Sequence, residues 1–69
     1  MSTASDRISE TLKLGRPAQR ALEAEGIVTF ADLALRTRAE VASLHGMGPK
    51  SFVALDPAMA LRSLDFRAP

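Results

Sequence analysis

The segment from His45 to Pro49 constrains the fold of this chain more than any other part of the sequence. Its residues are His-Gly-Met-Gly-Pro. Glycine at the end of a helical pattern indicates a helix stop, because glycine adopts the left-handed conformation that side chains disfavour. Proline is favoured in the first turn of a helix, where its missing N–H group is not needed. We therefore expect one helix to end at Gly46 and another to begin at Pro49. Between them, Gly48 can cap the second helix and Met47 turns into the core.

Two earlier patterns predict the starts of two short helices. Thr29 is followed three residues later by Asp32, and Thr37 is followed three residues later by Glu40. This spacing is typical of a capping box, in which each of the two side chains accepts a hydrogen bond from the other residue's backbone N–H group. The expected helices span residues 30–35 and 38–44.

Two longer helices are expected outside this pair. The first begins near Pro17, buries Leu22 and ends at Gly26. The second begins at Pro49 and contains another proline, Pro57. Because proline inside a helix costs about 3 kcal/mol relative to alanine, we expect a kink or a restart near Asp56. The apolar residues expected to pack in and after this helix are Phe52, Leu55, Met59, Leu64 and Phe66.

No part of the sequence shows the alternation of a half-buried strand, so the chain is predicted to be all-α. Its 69 residues allow one small domain. A hydrophobic fraction of 46% is too high for a disordered chain. The expected organisation is a flexible N-terminal segment at residues 1–12, a single domain at residues 13–66 and a tail at residues 67–69.

The residue types argue against catalysis and metal binding. With no cysteine and one histidine, the chain has no disulfide scaffold and no thiolate zinc site. Glu23 and Glu25 diverge on a helix and cannot work as a carboxylate pair. A chain this small has no room for a deep pocket. We therefore expect a non-enzymatic protein without a cofactor.

The glycine-rich turn is a candidate anion site. Free N–H groups and the positive end of the helix dipole attract anions to a helix start, where Lys50 and Ser51 add a cation and a hydroxyl donor. Arg16 and Arg20 lie four residues apart on one helix face. Because the net charge is only +1, polyanion binding must come from such a local patch. The candidate nucleic-acid-binding residues are Gly46, Gly48, Lys50, Ser51, Arg16 and Arg20.

Simpler interpretations remain for several of these residues. The glycines can serve only a tight turn, Lys50 can be a solvated surface residue, and His45 can cap the carbonyls of the preceding helix. Arg36 and Arg38 flank a helix start, where a cation is unfavourable. They either face acidic partners or take part in binding.

The residues from Val41 to Ser51, Val-x-x-Leu-x-Gly-Met-Gly-Pro-Lys-Ser, resemble the helix-hairpin-helix motif of DNA-binding proteins. Residues 14–66 are also similar to the C-terminal domain of the bacterial RNA polymerase alpha subunit. The likeness covers about three quarters of the chain. It includes Ala-Leu-Glu-Ala-Glu-Gly-Ile at residues 21–27 and Phe-x-Asp-Leu at residues 30–33. This resemblance implies a compact bundle of four to five short helices that binds the DNA backbone and minor groove and contacts other transcription proteins.

The resemblance also implies particular site residues. The family's arginine falls on Pro17, next to Arg16, and its asparagine falls on Arg20. The glycine that ends the family's last helix is Ser63 here. The positions that match the family's DNA contacts directly are Gly48, Lys50 and Ser51.

These features predict a small module that binds duplex DNA weakly and without sequence specificity. The alternative is a protein–protein interaction domain, related to transcription or DNA repair, that keeps the fold without binding DNA. Three features favour the alternative: Pro17 at the family's arginine position, the low net charge and the expected break in the last helix. RNA binding is a weaker third option, because no aromatic platform for stacking is evident. No apolar run has the length of a membrane span. We expect a cytoplasmic protein that has no membrane partner and is associated with the bacterial nucleoid if it binds DNA.

Overall fold

The structure, a computed structural model, describes residues 3–69 as a purely helical fold. Within this range there is no β-strand, and only two isolated bridges join extended residues, one between Arg7 and Thr29 and one between Thr37 and Arg67. The predicted all-α class is confirmed for these residues. A 3-10 turn at Thr3–Ser5 precedes five helices, which are α1 Ile8–Thr11, α2 Arg16–Ala24, α3 Phe30–Ala34, α4 Arg38–Ala42 and α5 Pro49–Leu61.

The two short helices α3 and α4 begin with the capping boxes that the sequence predicts. The Thr29 hydroxyl accepts a hydrogen bond from the Asp32 N–H group at 3.1 Å, and the Asp32 carboxylate accepts one from the Thr29 N–H group at 3.0 Å. Thr37 and Glu40 make the same two bonds at 3.1 and 3.2 Å. The backbone N–H groups of the two threonines stabilise the ionised carboxylates, which lowers the pKa of Asp32 and of Glu40.

The longer helices α2 and α5 end in the same hydrogen-bonded turn. After α2, Gly26 takes a φ of 72°, and the N–H group of Ile27 donates to the carbonyl oxygen five residues earlier at 2.9 Å. After α5, Ser63 takes a φ of 56°, and the N–H group of Leu64 makes the equivalent 2.9 Å bond. Both turns are Schellman motifs, in which a left-handed residue lets the chain satisfy the last carbonyls of a helix. The predicted stop at Gly26 is confirmed.

One apolar core joins all five helices. Met47, Leu64 and Phe66 are partly buried against it, as the sequence predicts. The radius of gyration is 10.7 Å, close to the value of about 11 Å that a packed chain of this length has. In the part of the chain that the structure describes, no helix is long and apolar enough to cross a membrane. The buried core consists of Ile8, Leu22, Ile27, Phe30, Leu33, Val41, Phe52, Leu55, Ala58 and Met59.

The position of Ile8 corrects the predicted start of the domain. Ile8 is 1% exposed, its N–H group donates to the Val28 carbonyl at 3.0 Å, and Leu12 packs against the same core. Ile8 and Leu12 are the only large apolar residues between positions 3 and 12, too few to show a helical period, so the sequence did not reveal their burial. The packed domain therefore begins before residue 13. Residues 1–2 of the segment predicted to be flexible lie outside the described range.

A nearly buried arginine connects the N-terminal segment to the end of α5. The side chain of Arg62 is 9% exposed, and its guanidinium carbon lies 4.3 Å from the centre of the Phe30 ring. The same guanidinium donates to the Asp6 carboxylate at 3.0 Å and to the Ala58 carbonyl at 2.9 Å. Residues near the two ends of the chain are thus held together over the core.

Helix α5 runs through Pro57 without interruption, so the expected restart near Asp56 is wrong. Asp56 binds Arg38 and does not cap a new helix. Proline deprives the carbonyl of the residue four positions earlier, Val53, of its intrahelical donor. Val53 is 74% exposed and Pro57 is also exposed, so water can hydrate that carbonyl. The buried residues on the opposite side, Leu55 among them, hold the helix against the core.

Candidate functional site

The glycine turn, which we define as residues 45–49, packs directly against the start of α2. Helix α4 ends at Ala42, so the expectation that Gly46 ends this helix is wrong, and Gly46 lies in a separate turn closed by the bond from the Met47 N–H group to the Leu44 carbonyl. Gly46 has a φ of 100°, in the left-handed region that favours glycine. A Cβ atom added to Gly46 would lie 2.5 Å from the Pro17 carbonyl oxygen and 2.9 Å from its carbonyl carbon. The position therefore requires glycine both for its backbone conformation and for this close approach. The contact brings the turn beside Arg16, the residue that precedes Pro17.

Both helices that meet at this contact lack a side-chain cap. The N-cap residue is Gly15 for α2 and Gly48 for α5, and neither helix start receives a hydrogen bond from a capping side chain. A Cβ atom at Gly48 would meet nothing within 4 Å. The N–H group of Lys50 donates to no acceptor among residues 3–69, whereas that of Ser51 donates to the Gly48 carbonyl at 3.0 Å. The start of α5 is thus open to a ligand that can accept hydrogen bonds.

The structure separates the cations into two groups. Arg36, Arg38, Arg62 and Arg67 each pair with a carboxylate, at 3.2, 2.7, 3.0 and 2.9 Å respectively. In contrast, no carboxylate oxygen of residues 3–69 lies within 4.0 Å of the charged groups of the other five cations. These unpaired cations are Arg7, Lys13, Arg16, Arg20 and Lys50.

The candidate site residues lie at the starts of α2 and α5. Arg16 and Arg20 are exposed on the first two turns of α2, and Lys50 is exposed on the first turn of α5. The hydroxyl of half-buried Ser51 has no hydrogen-bond partner among the described residues. His45 is exposed, and its ring makes no hydrogen bond within the same range. The contact of Gly46 with Pro17 places the glycine turn, which leads into α5, against the first turn of α2.

Arg36 and Arg38 both face acidic partners. The sequence left open whether they would do so or would take part in binding. Arg36 binds the side chain and the carbonyl of Glu25, at 3.2 and 3.0 Å. Arg38 binds both carboxylate oxygens of Asp56, at 2.7 and 2.8 Å. This charged hydrogen bond lowers the pKa of Asp56 and raises the pKa of Arg38.

Arg38 also stacks on two aromatic rings, which no sequence pattern indicated. Its guanidinium carbon lies 4.5 Å from the centre of the Phe52 ring and 5.5 Å from that of Phe66. Two shallow grooves meet at Arg38 and Ala42, with volumes of about 640 Å³ beside the C-terminal residues and about 400 Å³ beside the glycine turn. Because both are open to solvent, neither encloses a small molecule as an enzyme pocket does.

A second surface lies on the solvent side of α5. Val53 and Leu61 are 74% and 82% exposed, and Pro57 and Ala60 between them are also exposed. We call these four residues the outer face of α5. Helix α5 carries apolar residues on both its buried and its exposed sides, so their spacing did not reveal which of them would remain in solvent.

Among the described residues, no group of three or more His, Cys, Asp or Glu side chains is arranged to hold a metal ion.

No protein-family model matches the chain, and neither the curated proteins nor the solved structures give a match to it.

Proposed function

We propose that this protein is a small, non-enzymatic module that binds the backbone of duplex DNA with little sequence specificity. The observation that carries the proposal is the contact between Gly46 and the backbone of Pro17. This contact packs the turn before α5 against the start of α2, and neither helix start has a side-chain cap. The positive ends of both helices can therefore attract the same anionic chain. A chain of phosphates can engage both helix starts at once.

The distribution of charge supports the same surface. Arg16, Arg20 and Lys50 have no carboxylate partner among residues 3–69, so phosphate binding would not require breaking an existing ion pair. Phosphate contacts from cations and N–H groups position a protein on DNA without reading its sequence. The site offers no helix rich in side chains that recognise base edges in the major groove.

The resemblance of residues 41–51 to the helix-hairpin-helix motif points to the same residues. By this likeness, and by that of residues 14–66 to the C-terminal domain of the RNA polymerase alpha subunit, the glycine turn would lie along the minor groove. Arg16 would supply the cation that the family carries at the position of Pro17. Gly48, Lys50 and Ser51 would contact one phosphate group, and Arg20 a second.

A titration of isotope-labelled protein with a short DNA duplex at low salt, followed by heteronuclear NMR, tests the proposal. We expect the amide signals of residues 16–20 and 46–51 to shift. With three or four phosphate contacts, the plot of log affinity against log salt concentration should have a slope of about −3. Unchanged signals at both segments up to millimolar DNA would overturn the proposal.

Charge-reversal variants localise the binding. Lys50→Glu and Arg20→Glu should each weaken the affinity about tenfold or more, because each replaces an attraction to phosphate with a repulsion. Arg7→Glu is the matched control. Arg7 is also exposed and unpaired among the described residues, but its backbone pairs with Thr29, which lies beyond the far end of α2 from Pro17. Equal losses in all three variants would mean that only total charge matters.

A protein-interaction domain is the second candidate function, and the outer face of α5 favours it. Val53 and Leu61 expose large apolar side chains to solvent, at 74% and 82% of their surface. Exposed apolar patches on small proteins frequently mark contact surfaces. If Lys50→Glu leaves DNA affinity unchanged while substitutions on the outer face of α5 change the association state, this second function replaces the first.

A further inference from the structure

We propose that the outer face of α5 pairs with the same face of a second copy of this chain, with the two helices antiparallel. The proposal deepens the interaction function described above by naming the partner. It does not depend on DNA binding. It rests on the composition of α5, on the symmetry of its exposed residues and on the position of its charges.

The composition of α5 differs from that of a helix with one solvated side. A surface helix normally has a polar side, whereas a helix that is apolar all round is normally covered on all sides. In α5 the inner side is occupied by the buried Phe52, Leu55 and Met59, and the outer side still carries Val53 and Leu61. The outer side is therefore suited to contact with another apolar surface.

The exposed residues are arranged symmetrically about Pro57. Val53 lies four residues before Pro57, and Leu61 lies four residues after it. A two-fold axis passing at Pro57 brings Val53 of one copy against Leu61 of the other and repeats the contact on the opposite side of the axis. Such self-complementary contacts are the usual basis of symmetric dimers. The antiparallel arrangement thus pairs each large exposed side chain of α5 with another.

The charges on α5 also favour antiparallel pairing. Its charged residues, Lys50 and Asp56, both lie before Pro57, and Asp56 is already paired with Arg38. A parallel pair would face Lys50 with the Lys50 of the second copy. In the antiparallel pair, each Lys50 lies near the C-terminal end of the partner helix, where the helix dipole is negative. The net charge of +1 adds little repulsion between two copies.

The size of the face sets the expected affinity. The outer face has only two large exposed side chains, Val53 and Leu61, so it is small beside the surface of about 800 Å² that each partner buries in a stable interface. We therefore expect a weak dimer, with a Kd on the order of 0.1 mM.

Sedimentation equilibrium over about 0.05 to 2 mM protein, a range chosen to bracket the expected Kd, tests the pairing. The average mass should rise from 7.4 kDa towards twice that value. Leu61→Ser should weaken association about tenfold or more, because each dimer loses two buried leucine side chains. Leu35→Ser is the matched control, since Leu35 is 67% exposed but is the C-cap residue of α3 and not part of α5. A monomer at every concentration, or equal effects of the two substitutions, would overturn the proposal.

Cysteine cross-linking tests the orientation, and it is simplified by the absence of natural cysteines. A mixture of the Val53→Cys and Leu61→Cys proteins should form a mixed disulfide on oxidation. Each variant alone should form far less, because eight residues of helix separate like positions by about 12 Å along the axis, beyond disulfide reach. Efficient disulfide formation by Val53→Cys alone would contradict the antiparallel arrangement. Neither variant removes a cation, so DNA affinity measured on the same proteins reports the DNA-binding proposal separately.

Discussion

The starts of the short helices differ from the starts of the long ones. Helices α3 and α4 have only five residues each, and both begin with a complete capping box. Helices α2 and α5 have nine and thirteen residues, and both begin at a glycine without any side-chain cap. A five-residue helix cannot form enough internal hydrogen bonds to persist, so it depends on its caps. The longer helices have more internal bonds and can leave their first N–H groups open.

This difference distinguishes helix starts that stabilise the fold from helix starts that are open to a ligand. A carboxylate that caps a helix occupies the N–H groups that an external anion would otherwise bind. At α3 and α4 those groups are already used by Asp32 and Glu40. At α5 the Lys50 N–H group has no acceptor among residues 3–69. Both long helices begin at a glycine without a capping side chain, next to cations that have no carboxylate partner in the same range. The caps thus indicate which helix starts are structural and which are available to a ligand.

The largest expected effect comes from separating the two open helix starts. Gly46→Ala should destabilise the fold by about 3 kcal/mol, because alanine is strained at a positive φ and its Cβ would collide with the Pro17 backbone. Urea denaturation measures the loss. Gly48→Ala is the control, since Gly48 has a φ of −131° and open space around it. Similar losses in both variants would show that the contact with Pro17 is not what requires glycine.

A side-chain cap can be introduced at the start of α5 by replacing Gly48. Gly48→Asp should leave the fold as stable as before or slightly more stable, because aspartate is a good N-cap and opposes the helix dipole. The same change should weaken DNA binding about tenfold or more, because a carboxylate then occupies the open N–H groups. Thermal unfolding and DNA titration of one sample provide both values. Unchanged DNA affinity would contradict a role for the start of α5.

The C-terminal ends of the long helices allow a smaller test. Gly26 and Ser63 occupy the same position in two equivalent turns, but only Gly26 is free of a side-chain penalty at positive φ. Ser63→Gly should therefore stabilise the protein by about 0.5–1 kcal/mol. Thermal unfolding measures the gain, and Ser43→Gly, at an ordinary helical φ of −81°, should destabilise the protein.

The smallest expected effect is the pH dependence of the two capping boxes. The folded-state pKa values of Asp32 and Glu40 are lowered from 3.8 and 4.5, chiefly by hydrogen bonds from Thr29 and Thr37. Their contribution to stability is therefore complete above the unfolded-state values and is lost as the pH falls through the folded-state values.

Urea midpoints measured between about pH 6 and pH 2, a range that brackets both carboxyl pKa values, should fall on the acid side. The double variant Asp32→Asn, Glu40→Gln should show a flatter profile over the same range. An unchanged profile in that variant would mean that other carboxylates, such as Asp56, dominate the acid response.

The sequence predicted the local features of this fold well. Thr29, Thr37 and Gly26 act through hydrogen bonds and backbone angles within a few residues, so their roles follow from short patterns. The close approach of Gly46 to Pro17 involves residues far apart in the chain, and the sequence indicated only that Gly46 ends a helix. The sequence also did not pair Arg38 with Asp56, because many carboxylates were possible partners.

Features that depend on tertiary packing were predicted least well. Ile8 is buried because the chain before α2 crosses the core, which no local period indicates. A kink or a restart was expected near Pro57, and the helix is continuous from Pro49 to Leu61, so there is no restart. The candidate DNA contacts could be named from the sequence because a helix start has the same chemistry wherever it lies. The contact between the glycine turn and the start of α2 could not be predicted, because it joins residues far apart in the sequence.

The contact of Arg62 with Asp6 has a consequence for biosynthesis. The two residues are separated by 56 positions, and Arg62 also covers the Phe30 ring. On the ribosome, this contact cannot form until residue 62 has emerged from the exit tunnel. Earlier segments can form their capped turns during translation, but the ring of Phe30 stays uncovered by Arg62 until then. Completion of the packed core is therefore expected to follow the emergence of α5 and not to proceed helix by helix.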